Sequence, residues 1–134
     1  MLNLAAQVTR LKSRILLVDD HELVRDGIAC LLENEPELEI CGQAANGQEA
    51  IQKVSELKPD LVLLDLGMPI MGGTQAARQI RKLAPDIKIV FLSMHDSDTI
   101  EQLSKLIEVD AYLTKGCSRE KLKKTIRSVL SAHH

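Results

Sequence analysis

Aromatic side chains are almost missing from this 134-residue sequence, which has one Phe, one Tyr and no Trp. That argues against recognition of single-stranded nucleic acid, which relies on stacking bases against aromatic rings. An excess of one charge is missing too. Seventeen Lys and Arg against nineteen Asp and Glu leave a formal net charge of -2 at pH 7. This gives no general attraction to a polyanion, and no charged tail alters that. Cysteines are few and odd in number: Cys30, Cys41 and Cys117, with no CxxC spacing. Cys30 and Cys41 fall inside apolar patterns and are expected to be small buried hydrophobes. A reducing cytoplasm is the simplest setting for them. No apolar run could span a bilayer, and none before Arg10 and Lys12 is long enough for a signal peptide, so no membrane role is expected. Internal repeats, low-complexity stretches and interior linkers are absent.

What remains is an ordinary globular composition, 45% hydrophobic and 27% charged, in a chain of the right length for one domain with a core of its own. Residues 1–13 are a weakly patterned N-terminal extension. After it, two periodicities alternate. Residues 15–18 and 61–64 are continuously apolar, as strands buried on both faces should be. Strands are also expected at 38–44, 87–92 and 110–113. Between them, helical stripes run through Leu23, Val24, Ile28, Leu31 and Leu32, through Ala50, Ile51, Val54 and Leu57, and through Ala76, Ala77, Ile80, Leu83 and Ala84. A shorter stripe has Ile100, Leu103 and Ile107. Ser118 is the expected N-cap of a last helix, with Leu122, Ile126, Val129 and Leu130 inside and Lys121, Lys123, Lys124 and Arg127 on a solvated face. Pro36, Pro59 and Pro85 follow three of the helices, and Asn46-Gly47 reads as a turn. Five strands alternating with five helices predict an α/β fold, a doubly wound parallel sheet of flavodoxin-like order 2-1-3-4-5.

The polar residues that end the strands carry the chemistry. Asp19-Asp20, Asp65, Ser93 and Lys115 each follow an apolar run, and a parallel sheet puts all those ends on one edge. Two like charges at about 4 Å repel by about 4 kcal/mol at an effective dielectric of 20, so three carboxylates call for a raised pKa or a cation. A hard divalent ion with oxygen ligands answers that need, and Mg²⁺ commonly shares itself with a phosphate. Lys115 suits a phosphate oxygen, Ser93 can donate to another, and Asp65 is placed as a carboxylate nucleophile. Taken singly, each residue has a plainer reading: a turn or helix cap for the acids, a loop hydroxyl, a surface lysine. Only the ordered set carries the inference.

Val-Asp-Asp-His at 18–21, Leu-Leu-Asp-Leu-Gly-Met-Pro at 63–69, Leu-Ser-Met-His-Asp at 92–96 and Tyr-Leu-Thr-Lys at 112–115 resemble the motifs of receiver domains of bacterial two-component response regulators. The resemblance covers residues 14–132 and implies a CheY-like fold. It implies Asp65 as phosphoacceptor and Mg²⁺ (or Mn²⁺) held by Asp20, Asp65 and the Gly67 backbone carbonyl, with Asp19 acting through a water. It makes Ser93 the switch hydroxyl, Lys115 the phosphate partner and Tyr112 the rotating aromatic, with Met94 and His95 controlling access. The segments His21–Gly27, Ala45–Ala50 and Met94–Asp96 are similar to the NarL/FixJ type, which implies a LuxR-like helix-turn-helix. None follows here, so DNA would be reached only through a domain missing from this sequence. The implied partners are a sensor histidine kinase, docking near the first helix whose outer face is expected to show Arg25 and Asp26, and a second copy on phosphorylation. Glu108-Val109-Asp110 replaces the family's small-residue stretch, and Gly116 replaces a frequent Pro. His133-His134 reads as a tag remnant. Two rival readings are a small Mg²⁺-dependent phosphohydrolase and a receiver-fold scaffold that works without phosphorylation.

Overall fold

The computed structural model describes residues 12–68, 71–94 and 98–132. Strands β1 (Ser13–Val18), β2 (Leu38–Ala44), β3 (Leu61–Asp65), β4 (Lys88–Ser93) and β5 (Ala111–Thr114) alternate with helices α1 (Glu22–Glu33), α2 (Gly47–Leu57), α3 (Gly73–Leu83), α4 (Asp98–Ile107) and α5 (Arg119–Ser131). The strands form one parallel sheet in the order β2-β1-β3-β4-β5, as the sequence pattern predicts.

Side-chain alternation sorts the apolar runs onto two faces. Leu16, Val18, Val62, Leu64, Ile89 and Phe91 pack with Ala50 and Val54 of α2 and Ala76, Ala77 and Ile80 of α3. Ile15, Leu17, Leu61, Leu63, Val90 and Leu92 pack with Leu32 of α1 and Leu122, Ile126 and Val129 of α5. Because both faces are covered, β3 is buried at every position, which is why its sequence shows no polar alternation. Among the described residues no helix is long and apolar enough to cross a membrane.

Helix starts follow local chemistry. Asn46 accepts the Glu49 N–H at 2.9 Å, while the Glu49 carboxylate accepts the Ala45 N–H at 3.3 Å. The Glu49 carboxylate reaches the residue before the cap instead of the cap's own N–H, one position off a capping box, and Asn46-Gly47 opens α2 ahead of its apolar stripe. Ser118 caps α5 as expected, accepting the Lys121 N–H at 3.1 Å.

Several expectations fail, mostly at the β2 edge. α1 fully buries only Leu32, Leu23 is 86% exposed, and Cys30 is exposed rather than buried. Leu23 and Cys30 lie about half a turn round α1 from Leu32, on the face turned away from the sheet, and β2, the outermost strand, is itself only half-buried through its middle. Cys41 is half-buried for a different reason. The β1–β2 register pairs Ile15 with Ile40 but Leu16 with Gly42, which leaves Cys41 as the extra residue of a bulge. Its Sγ lies 3.5 Å from the Ile15 carbonyl oxygen. The basic face of α5 is not simply solvated. Lys123 pairs with Glu35 at 2.8 Å, and Arg127 pairs with Glu35 and, at 2.8 Å, with Glu37. These contacts tie α5 to the α1–β2 connection.

The Glu108–Asp110 stretch also has a clear use. Asp110 accepts the Ile89 N–H at 2.8 Å and pairs with Arg81 at 2.9 Å. Arg81 also donates to the carbonyl of Glu108, whose φ of 63° is left-handed. One arginine of α3 thus holds the α4–β5 connection onto the sheet. All described peptide bonds are trans, the one before Gly116 included.

Candidate functional site

Strand register assembles the site. Val18 pairs with Leu64, so Asp19 and Asp65 leave their strands side by side. Asp65 pairs with Leu92, and Ser93 pairs with Thr114, which brings Ser93 and Lys115 to the same edge. The Lys115 N–H donates to the Ser93 carbonyl at 2.8 Å, closing the row.

Asp19 is 2% exposed and Asp65 3%. Lys115 Nζ lies 2.7 Å from Asp19 Oδ2 and 3.3 Å from Asp65 Oδ1. The Gly67 N–H donates to Asp65 Oδ1 at 3.1 Å, and the His21 N–H donates to Asp19 Oδ1 at 2.9 Å. Two nearly identical carboxyl groups are pushed in opposite directions. Burial raises the pKa of Asp65, and the nearby Asp19 charge adds to this, outweighing the Gly67 N–H and Lys115. Burial also acts upward on Asp19, but the Lys115 hydrogen bond and charge and the His21 N–H overcome it, and its pKa falls. For Lys115, burial would lower the pKa; the bonds and charges of Asp19 and Asp65 reverse this and raise it. Lys115 therefore stays an ammonium, and Asp19 is its tighter partner.

Oxygens of Asp19, Asp20 and Asp65 and a ring nitrogen of His21 all lie within 4.8 Å of one another. Asp20 Oδ1 is buried beside the His21 ring nitrogen, 3.2 Å away. Carboxylate oxygens clustered this closely fit a divalent cation, so the donor set can hold the metal that the sequence called for.

The structure thus gathers Asp19, Asp20, Asp65 and Lys115, with Ser93 buried at the end of β4. Tyr112 is half-buried against the core on the α2–α3 side. Met94 is 71% exposed, and His95 lies outside the described residues. Arg25 is not on the outer face of α1. Its guanidinium turns inward, donating to the Asp19 carbonyl and, at 2.9 Å, to Gln43 Oε1. His21 was missed as a site residue. Its signal was a histidine at a helix start, where Ser, Thr, Asp or Asn is usual.

Fold and site together define a class: a doubly wound α/β domain with an acid cluster and a lysine at the carboxyl ends of its strands. Residues 15–127 match the response regulator receiver domain family, and the chain belongs to that family. It is 40% identical over 120 residues to the response regulator GacA of Pseudomonas viridiflava, covering 88% of this chain and 55% of that protein. It is 40% identical over 114 residues to VraR of Staphylococcus aureus strain Mu3, covering 85% and 54%. The chain therefore spans about half the length of the curated relatives it matches. Among solved structures, a LuxR-family two-component response regulator from Aurantimonas sp. SI85-9A1 superposes with a TM-score of 0.85 at 32% identity, covering 90% of this chain and 86% of that one. The receiver domain of a NarL regulator from Mycobacterium tuberculosis gives 0.85 at 27%, covering 91% and 98%. This chain is a receiver domain of a two-component response regulator of the LuxR/NarL kind, a signalling switch rather than a classical enzyme.

Proposed function

We propose that Asp65 accepts a phosphoryl group from a sensor histidine kinase. The observation that supports this most is the placement of Lys115 between Asp19 and Asp65, beside an acid cluster able to hold a cation. An Asp65 carboxylate oxygen attacks phosphorus, the bond from phosphorus to the donor's imidazole nitrogen breaks, and that nitrogen keeps the electron pair. Asp20, Asp65 and the Gly67 backbone carbonyl would hold Mg²⁺, with Asp19 acting through a water, and the ion would supply neutralisation of the charge on the transferring group. Lys115 exchanges its carboxylate contact for a phosphoryl oxygen, and the Ser93 hydroxyl donates to another. Tyr112 then moves into the space that Ser93 leaves, and the surface of α4, β5 and α5 changes shape. Met94, and His95 beside it, limit access of water to the phosphoryl group.

The kinase would approach the exposed side of α1, where Leu23 and Asp26 face solvent. Phosphorylation would favour a dimer and, in a longer protein, would act on a LuxR-like DNA-binding domain. The family match gives no support to the phosphohydrolase alternative. Intact mass after incubation with acetyl phosphate and Mg²⁺ tests the reading. One phosphate should be added to the wild-type chain and none to Asp65→Ala; an equal gain in both would sink it.

A further inference from the structure

Asp20 lies outside both elements that flank it. β1 ends at Val18 and α1 begins at Glu22, so Asp19, Asp20 and His21 form the link. Sheet bonding reaches one residue into that link: the Asp19 N–H donates to the Ala44 carbonyl of β2 at 3.0 Å. The carbonyl of the same residue accepts the Arg25 guanidinium. It belongs to the planar peptide unit that joins Asp19 to Asp20. Holding its oxygen therefore fixes where the Asp20 Cα sits, and with it the reach of the carboxylate. Arg25 is itself aimed. Its Nε donates to Gln43 Oε1 at 2.9 Å, and Gln43 pairs with Leu17 in the sheet. One half-buried side chain of α1 thus braces the Asp19–Asp20 peptide against β2. A guanidinium suits this task because its donors form a rigid planar fork.

We propose that Arg25 is a positioning residue for the cation site: its brace from α1 to β2 holds Asp20 where the carboxylate meets the ion. The proposal rests on Asp20 being a ligand of bound Mg²⁺, and it adds no ligand to that site. Arg25 carries a positive charge beside a cation site, so its charge alone works against Mg²⁺. Its hydrogen bonds work in favour of Mg²⁺. The two contributions have opposite signs, so the direction of change on removing Arg25 tells them apart.

The test uses the whole chain as wild type, Arg25→Ala, Gln43→Leu and the double variant. Calorimetric titration with MgCl₂ measures affinity, and urea unfolding in EDTA measures stability without the ion. Arg25→Ala should weaken Mg²⁺ binding by about tenfold, although it removes a repelling charge. Gln43→Leu keeps that charge but takes away the acceptor that aims it, and should weaken binding in the same direction. The double variant should bind no more weakly than Arg25→Ala, because both changes break one brace. Tighter Mg²⁺ binding by Arg25→Ala means that only its charge matters, and it overturns the proposal. Unchanged affinity with a lower urea midpoint makes the brace purely structural and overturns it as well. Should Arg25→Ala fail to fold, Gln43→Leu decides by the same criteria. A wild type that binds no Mg²⁺ brings down the metal-site reading and the proposal with it.

Discussion

Gly73, the first residue of α3, lies so close to Asp65 that a Cβ built on it would sit 2.3 Å from the Asp65 carbonyl oxygen and 2.8 Å from Leu66 Cα. Both obstacles are backbone and cannot swing aside. Only glycine lets α3 start directly against the end of the strand that carries the proposed phosphoacceptor.

Gly73→Ala should therefore cost about 1–3 kcal/mol, as overpacking does, and should slow phosphoryl transfer by displacing Asp65. Urea unfolding and acetyl phosphate labelling measure the two effects. Gly72→Ala is the control. A Cβ there meets only the Leu66 carbonyl at 3.8 Å, an ordinary contact, so little loss is expected. Equal losses in both variants would contradict the account.

Asp65→Asn should raise the melting temperature of metal-free protein at neutral pH. Burial first, then the Asp19 charge, lifts the folded pKa of Asp65 above 3.8. A raised carboxylate pKa means that the charged form disfavours folding at any pH above the folded value. The penalty fades as pH falls from the folded value toward the unfolded one, because the folded state takes up the proton first, and it is gone once both states are protonated. The gap between wild type and variant, followed by thermal melts in EDTA, should close toward acid pH.

Mg²⁺ should stabilise the wild-type chain by mass action, by about 2.7 kcal/mol at a hundred times its Kd. Chelation should reverse this fully. Asp65→Asn should show a smaller gain, having lost a charged ligand, and denaturant midpoints with and without Mg²⁺ would reveal it.

Lys115→Met should be strongly destabilising, by about 3 kcal/mol, because it strands buried carboxylates without their cation. Lys115 is 11% exposed and its partner Asp19 2%. Adding Asp65→Asn to Lys115→Met should recover part of the loss, since one of the two facing charges is then gone. A double-mutant cycle on unfolding free energies measures this coupling, and strict additivity would argue against it.

Thiol titration near neutral pH should find one fast cysteine, Cys30, which is exposed on α1. Burial raises the Cys41 and Cys117 thiols above 9.0, so little thiolate forms there and both should react slowly. Their rates should climb with pH. Cys30→Ser should remove the fast phase.

The sequence by itself determined the order of elements, the sheet and the identity of the acids and lysine. Apolar periodicity is a local property, and two strands without polar alternation require helices on both faces. Residues ending those strands must share an edge, which made Asp19, Asp20, Asp65, Ser93 and Lys115 legible together. The tertiary structure alone decided what depends on distance and register. Leu23 and Cys30 have apolar character, yet they lie about half a turn round α1 from the buried Leu32 and so face away from the sheet. Cys41 is only half-buried because one residue of β2 bulges. Arg25 reads as a surface residue, but its long side chain reaches back to the Asp19 carbonyl. Arg81 and Asp110 are far apart in sequence and meet only because α3 and β5 pack against β4. The opposite pKa shifts of Asp19 and Asp65 could not be read from two identical side chains. They arise because burial, helped by the Asp19 charge, wins at Asp65, while at Asp19 the closer Lys115 Nζ, 2.7 Å away against 3.3 Å for Asp65, and the His21 N–H win over burial, differences that exist only once the chain has folded.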